Sequence, residues 1–173
     1  MKILNNHEMI LIPEGISYMG SDELDPYASN KEKPLKEVFI STFYISKYPT
    51  TNAQFANFLS DLCLNPPTSW NINASFSVSD FIDKCGNLPV NLISWKIAMH
   101  YCKWLSEKSR LNIVLPTEAE WEKAARGNLP QVWPWGNDFN PELCNCTESG
   151  RNELCSVFEL VSGASPYGCL HMS

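Results

Sequence analysis

The chain has 173 residues, of which 44% are apolar and 12% aromatic, enough for one ordinary globular domain with a substantial core, taken here as a single unit over residues 1–173. A formal charge of −6 and a pI near 5.0 argue against phosphate-backbone binding, and no run of lysine or arginine makes a local exception, so nucleic acid is excluded as an expected partner. Asn5, Asn6, His7 and Glu8 interrupt the N-terminal apolar run before a signal-peptide core forms, and nothing later approaches the roughly 18 apolar residues of a membrane span. A cytoplasmic chain with no membrane partner is therefore expected. Seven cysteines at irregular spacing fit reduced thiols in a reducing compartment. In a secreted chain, Asn73-Ala-Ser and Asn145-Cys-Thr would be glycan acceptors.

In chain order, Met9–Ile12 and Ile16–Met19 read as short strands split by Pro13-Glu14-Gly15, which predicts a hairpin. Residues 21–36 are polar, carry Pro26 and Pro34, and read as a loop. EVFISTFYISKYP supplies β-branched and aromatic residues over one strand-length run ending at Pro49. Phe55, Phe58, Leu59 and Leu62 then recur at helical spacing, with Thr50 or Thr51 as N-cap. Residues 64–86 are rich in Asn, Ser and Pro and read as a surface excursion pinned by Trp70, Phe76 and Phe81. A second helix starts at Ser94, with Ile97, Ala98, Tyr101, Cys102 and Leu105 inward.

LPTEAEWEKAARG, residues 115–127, has three glutamates that could form a carboxylate cluster, but each has a structural role available. Thr117 and Glu120 have the spacing of a capping box, Glu118 suits the helix dipole, Glu122 and Arg126 are an i, i+4 pair, and Gly127 is a natural stop. Trp121 with Ala124 or Ala125 is expected to face the core. Beyond Gly127 turn signals dominate, so the fold class expected is α+β, irregular and loop-rich.

Chemistry candidates each have a structural alternative. Cys144-x-Cys146 with Cys155 and Cys169 could hold a metal through thiolates, although structural zinc pairs usually have at least two intervening residues; buried or loop thiols are the other reading. Cys102 and His100 lie two apart on a helix and so point to different faces. His7 and His171 carry no recognisable motif. Trp133 and Trp135 could stack a ligand, or could pack beneath long loops.

The ordered blocks LIPEGISYMGS, EKPLKEVFISTFYISKYPTTNAQFANFL, PVNLISWKIAMHYCKWLSEK, LPTEAEWEKAARG, PWGN and GASPYGCLHM resemble the formylglycine-generating enzyme family, the sulfatase-modifying factors, from about Met9 onward. The resemblance implies a C-type-lectin-like fold with loops stapled by calcium. Active members oxidise a sulfatase cysteine to formylglycine with molecular oxygen and a copper ion held by a cysteine pair; others serve as accessory or binding modules. Family members follow the last block with a Gly-Asn-Val-Trp-Glu-Trp segment and later the copper-binding cysteines, and this sequence runs to Ser173. The implied assignment is thus the N-terminal portion of the family domain, with no catalytic residue, no copper ligand and no activity alone. Cys102 matches a helix cysteine of some members, whose disulfide partner there lies in the unmatched part. The iron-binding histidines of the ergothioneine-forming branch belong to an extra helical domain and have no counterpart here.

Asn145 and the backbone carbonyl of Cys146 match the start of a calcium site and are the candidate metal ligands. Ser149 stands where an acidic ligand is expected, which implies a weak or lost site. A protein or peptide substrate, a complementing chain, or self-association through an uncovered apolar surface are the expected partners. The alternative to an enzyme portion is a non-enzymatic lectin-like binding or accessory module, or a degenerate remnant.

Overall fold

A computed structural model describes residues 2–4, for which only the backbone is considered, and residues 6–173. Met1 and Asn5, the latter part of the polar break near the N-terminus, lie outside the described residues. The fold is α+β. Five strands, β1 (Lys2–Leu4), β2 (His7–Ile12), β3 (Gly15–Met19), β4 (Lys36–Ile40) and β5 (Phe43–Ser46), form two sheets, with orders β1-β2-β5 and β3-β4. Four helices follow, α1 (Asn52–Asp61), α2 (Val78–Cys85), α3 (Trp95–Ser109) and α4 (Glu118–Arg126). Among the described residues no helix is long and apolar enough to cross a membrane.

The expected hairpin between Met9–Ile12 and Ile16–Met19 does not form, because the partner run is not one strand. Residues 36–46 break at Ser41-Thr42 into β4 and β5, and each half pairs with one half of residues 7–19. The result is one antiparallel ribbon bent where Pro13-Glu14 faces Ser41-Thr42. Proline cannot donate to a ladder, and the Glu14 N–H instead donates to the Thr42 hydroxyl at 3.1 Å. Pairing Met9 with Ser46 and Met19 with Lys36 keeps one register through the bend.

Helix α1 starts at Thr51, whose side chain accepts from Gln54 N–H while the Gln54 side chain returns to Thr51. It buries Phe55, Phe58 and Leu59 against Trp70 and, on α3, Tyr101, Trp104 and Leu105. Ile97, expected inward, is 41% exposed, since this cluster is centred a turn later on α3. Residues 64–86 are not wholly an excursion: Ser77 and Asp80 form a capping box that opens α2, and Phe81 of that helix stacks on Trp70 at 4.5 Å between centroids. A second cluster joins Ile12, Ala124, Ala125, Cys169 and Met172.

Candidate functional site

Helix α4 shows what the glutamates of LPTEAEWEKAARG do. Thr117 and Glu120 cap each other, and Glu122 accepts from Arg126 at 2.9 Å and from the Gly20 N–H at 3.0 Å. The Arg126 guanidinium also donates to the Gly20 carbonyl at 2.8 Å, so α4 holds the start of the 21–36 loop from both sides. Gly20 sits at φ +87 with the Glu32 and Pro34 carbonyls less than 3 Å from where a Cβ would be, a space and a conformation only glycine fills easily. Burial lifts the Glu122 carboxyl above its ordinary range, against the lowering effects of the Gly20 N–H and Arg126.

Trp121, expected in the core, is 40% exposed, and Lys123 takes the central position at 0% exposure. Its ammonium donates to the Gly15 carbonyl at 3.0 Å and reaches that of Ile40 at 3.5 Å, which ties both strands of the ribbon at the bend. Burial lowers the Lys123 pKa. A helix packed this close to two strands admits only Ala124, Ala125 and a slim lysine stem, and the indole is left at the rim.

An apolar groove of about 560 Å³ lies between β2, β5, α3 and residues 111–116. At its floor His7 Nε2 and the Tyr101 hydroxyl are 2.8 Å apart. Burial holds His7 below its ordinary pKa and pushes Tyr101 up, so the pair is a neutral hydrogen bond at neutral pH. Cys102 also lines the groove, and burial raises its thiol pKa. His100 is exposed and Cys102 buried, so the structure does not bring them together. Leu111 at 40% and Val114 at 59% exposure stand along the groove wall. The arrangement offers an apolar slot with an uncharged polar floor, suited to binding rather than proton transfer.

A smaller cavity of about 190 Å³ lies among Cys144, Asn145, Cys155, His171 and Ser173. Cys144 and Cys146 place their sulfurs 3.4 Å apart, and burial followed by the neighbouring Cys146 pushes the Cys144 thiol up to about 11. Cys155 adjoins Cys144 at this cavity, whereas Cys169 is buried in the Ile12 cluster. His171 is half-buried, with Nε2 lacking a partner among the described residues, and burial lowers its pKa. Trp133 and Trp135 stack on each other at 5.8 Å and Trp133 meets Tyr27 and Phe139, so these rings pin loops.

Calcium takes about six to eight oxygen ligands. The Asn145 amide nitrogen donates to the Glu153 carbonyl at 3.1 Å, and the Cys146 carbonyl accepts the Ser149 hydroxyl at 2.6 Å and the Ser149 N–H at 3.2 Å. Among the described residues no three His, Cys, Asp or Glu side chains converge as metal ligands. This donor set does not fit a calcium ion in the arrangement observed. For copper, the resemblance puts the ligands in blocks this sequence does not match, and no residue here is assigned to it.

Residues 2–173 match the model of the sulfatase-modifying factor enzyme 1-like domain. The chain belongs to that family. It is 30% identical to the formylglycine-generating enzyme of Thermomonospora curvata, with 77% of this chain and 54% of that protein covered. It is likewise 30% identical to the inactive C-alpha-formylglycine-generating enzyme 2 of Bos taurus, with 79% and 55% covered. This chain thus spans about half the length of these sulfatase-modifying factor relatives. Among solved structures, PvdO from Pseudomonas aeruginosa superposes with a TM-score of 0.78 at 19% identity, covering 97% of this chain and 67% of that one, a likeness of fold alone.

Proposed function

We propose that this chain is a binding portion of a sulfatase-modifying-factor-like domain, whose apolar groove takes a complementing polypeptide, and that alone it does not oxidise cysteine to formylglycine. The observation that carries this reading is the groove itself, about 560 Å³, apolar along its walls and closed at the floor by the neutral His7–Tyr101 pair. Relatives with about as much sequence again supply the kind of polypeptide that would cover it. Such an occupant buries Leu111 and Val114, which are otherwise exposed. The family reaction, oxygen- and copper-dependent, belongs in this proposal to the completed protein.

In the same proposal the fold is C-type-lectin-like and the setting cytoplasmic, which all seven cysteines being free thiols supports. A non-enzymatic accessory module is the second reading, favoured by the 30% identity to a relative named inactive. The test incubates the copper-supplied chain aerobically with a Cys-x-Pro-x-Arg peptide and weighs the peptide. No mass change is expected, and conversion of its cysteine to an aldehyde overturns the proposal. Intact and native masses of the protein from its source cells then separate the readings: further polypeptide of another sequence, in the same chain or bound to it, supports a filled groove, and a species built from the 19.6 kDa chain alone supports the free module.

A further inference from the structure

Cys144 and Cys146 stand one residue apart in extended backbone, with φ −138 and ψ 162 at the first and φ −130 and ψ 173 at the second. Side chains at i and i+2 of such backbone leave the same face, and here their sulfurs meet at 3.4 Å.

The frame that presents them is tied at three successive points. The Leu143 carbonyl packs so closely on Gly163 that a Cβ added there would lie 2.0 Å from its oxygen. The Asn145 amide donates to the Glu153 carbonyl at 3.1 Å. The Cys146 carbonyl accepts the Ser149 hydroxyl at 2.6 Å. Two thiols held together in this way react as an intramolecular pair, with no search to make.

We propose that Cys144 and Cys146 form a redox-active dithiol that exchanges with low-molecular-weight disulfides of the glutathione type. Cys146 is partly exposed and Cys144 is 6% exposed, which sets the order of events. The Cys146 thiol loses its proton to solvent, and its thiolate attacks one sulfur of glutathione disulfide, forming a mixed disulfide and releasing one glutathione thiolate. Cys144 then loses its proton, its sulfur attacks the Cys146 sulfur, and the second glutathione leaves. The protein loses two electrons and two protons, and one glutathione disulfide becomes two glutathione thiols.

The bond is expected to be exchangeable rather than structural. A disulfide that spans a single intervening residue removes little chain entropy from the unfolded state, so folding gives it little extra stability. Cys155 lines the same cavity as Cys144 and is the competing thiol that a test must separate.

Trypsin releases residues 127–151 as one peptide that holds Cys144 and Cys146 and no other cysteine. The reduced full chain is equilibrated without oxygen in graded mixtures of reduced and oxidised glutathione, quenched with iodoacetamide, digested and weighed. The expected result is that this peptide loses two hydrogens and escapes alkylation in mixtures where Cys85 and Cys102 remain alkylated. Cys144→Ser should stop at a glutathione adduct on Cys146, and Cys146→Ser should leave Cys144 alkylated. A wild-type peptide that stays doubly alkylated in all mixtures, a persistent adduct, or a cross-link to Cys155 overturns the proposal. Should a serine variant fail to fold, as read by circular dichroism, the wild-type peptide decides alone.

Discussion

His7 has no motif around it in the sequence, yet its buried imidazole meets Tyr101 from 94 residues away. Burial keeps its folded pKa below the ordinary 6.5, and the same holds for His171. The unfolded chain therefore binds protons at these groups first as acid is added, so their contribution is complete above about pH 6.5 and drains away as pH falls through the folded values. Glu122 acts in the opposite sense: its raised pKa makes its contribution complete below the unfolded value of 4.5 and lost as pH rises through the folded one. A urea midpoint that falls between about pH 7 and about pH 5, with a shallower fall in His7→Gln, is the expected pattern. An unchanged slope in His7→Gln would remove His7 as a source. His7→Gln should also cost about 1–3 kcal/mol at pH 7, because the Tyr101 hydroxyl loses its buried partner. Such pairings could not be read in advance, since a lone histidine near a strand has the same sequence whether it ends in water or against a tyrosine. Lys123 makes the same point: lysine is a surface residue by default, and only the closeness of α4 to Gly15 and Ile40 buries it.

The elements that carry their own punctuation were legible before the structure. Thr117 with Glu120 starts α4 where the spacing says it should, and Thr51, one of the two caps expected, starts α1. Ser77 with Asp80 carried the same signal for α2, masked by the surrounding Asn, Ser and Pro. Strand pairing was less legible, because alternation reports which face is buried and says nothing about which strand lies alongside. The hairpin expected across Pro13-Glu14-Gly15 gave way to the bent ribbon for that reason. At Gly163 the element itself is testable: the turn Val161–Gly163 packs on the carbonyl of Leu143, at the end of the turn Pro141–Leu143. Gly163→Ala should destabilise by about 1–3 kcal/mol through overpacking, read as a lower thermal midpoint. A neutral result would mean that the two turns can part freely.

At the scale of the molecule, the family was readable from six ordered blocks, and the matched residues 2–173 bear that out. The groove was not, because its walls come from β2, β5, α3 and residues 111–116, and no stretch of sequence announces a surface assembled from four places. Exposed Val114 and Leu111 beside it predict concentration-dependent self-association, which Val114→Asp should weaken in sedimentation velocity experiments. Equal sedimentation of both proteins at all concentrations would place any association elsewhere. Calcium, with the Cys146 carbonyl already accepting twice, is expected to leave the thermal midpoint unchanged; a rise of several degrees at millimolar calcium would show that the loop rearranges around the ion. The six residues of β2 serve both cores: Ile12 lies in the Ala124 cluster, while His7, on the same strand, is bonded to Tyr101 of the other. Neither core can open fully without moving that strand. The amide protons of α3 and α4 should therefore exchange with deuterium at the same limiting free energy, as one cooperative unit despite two separate apolar clusters.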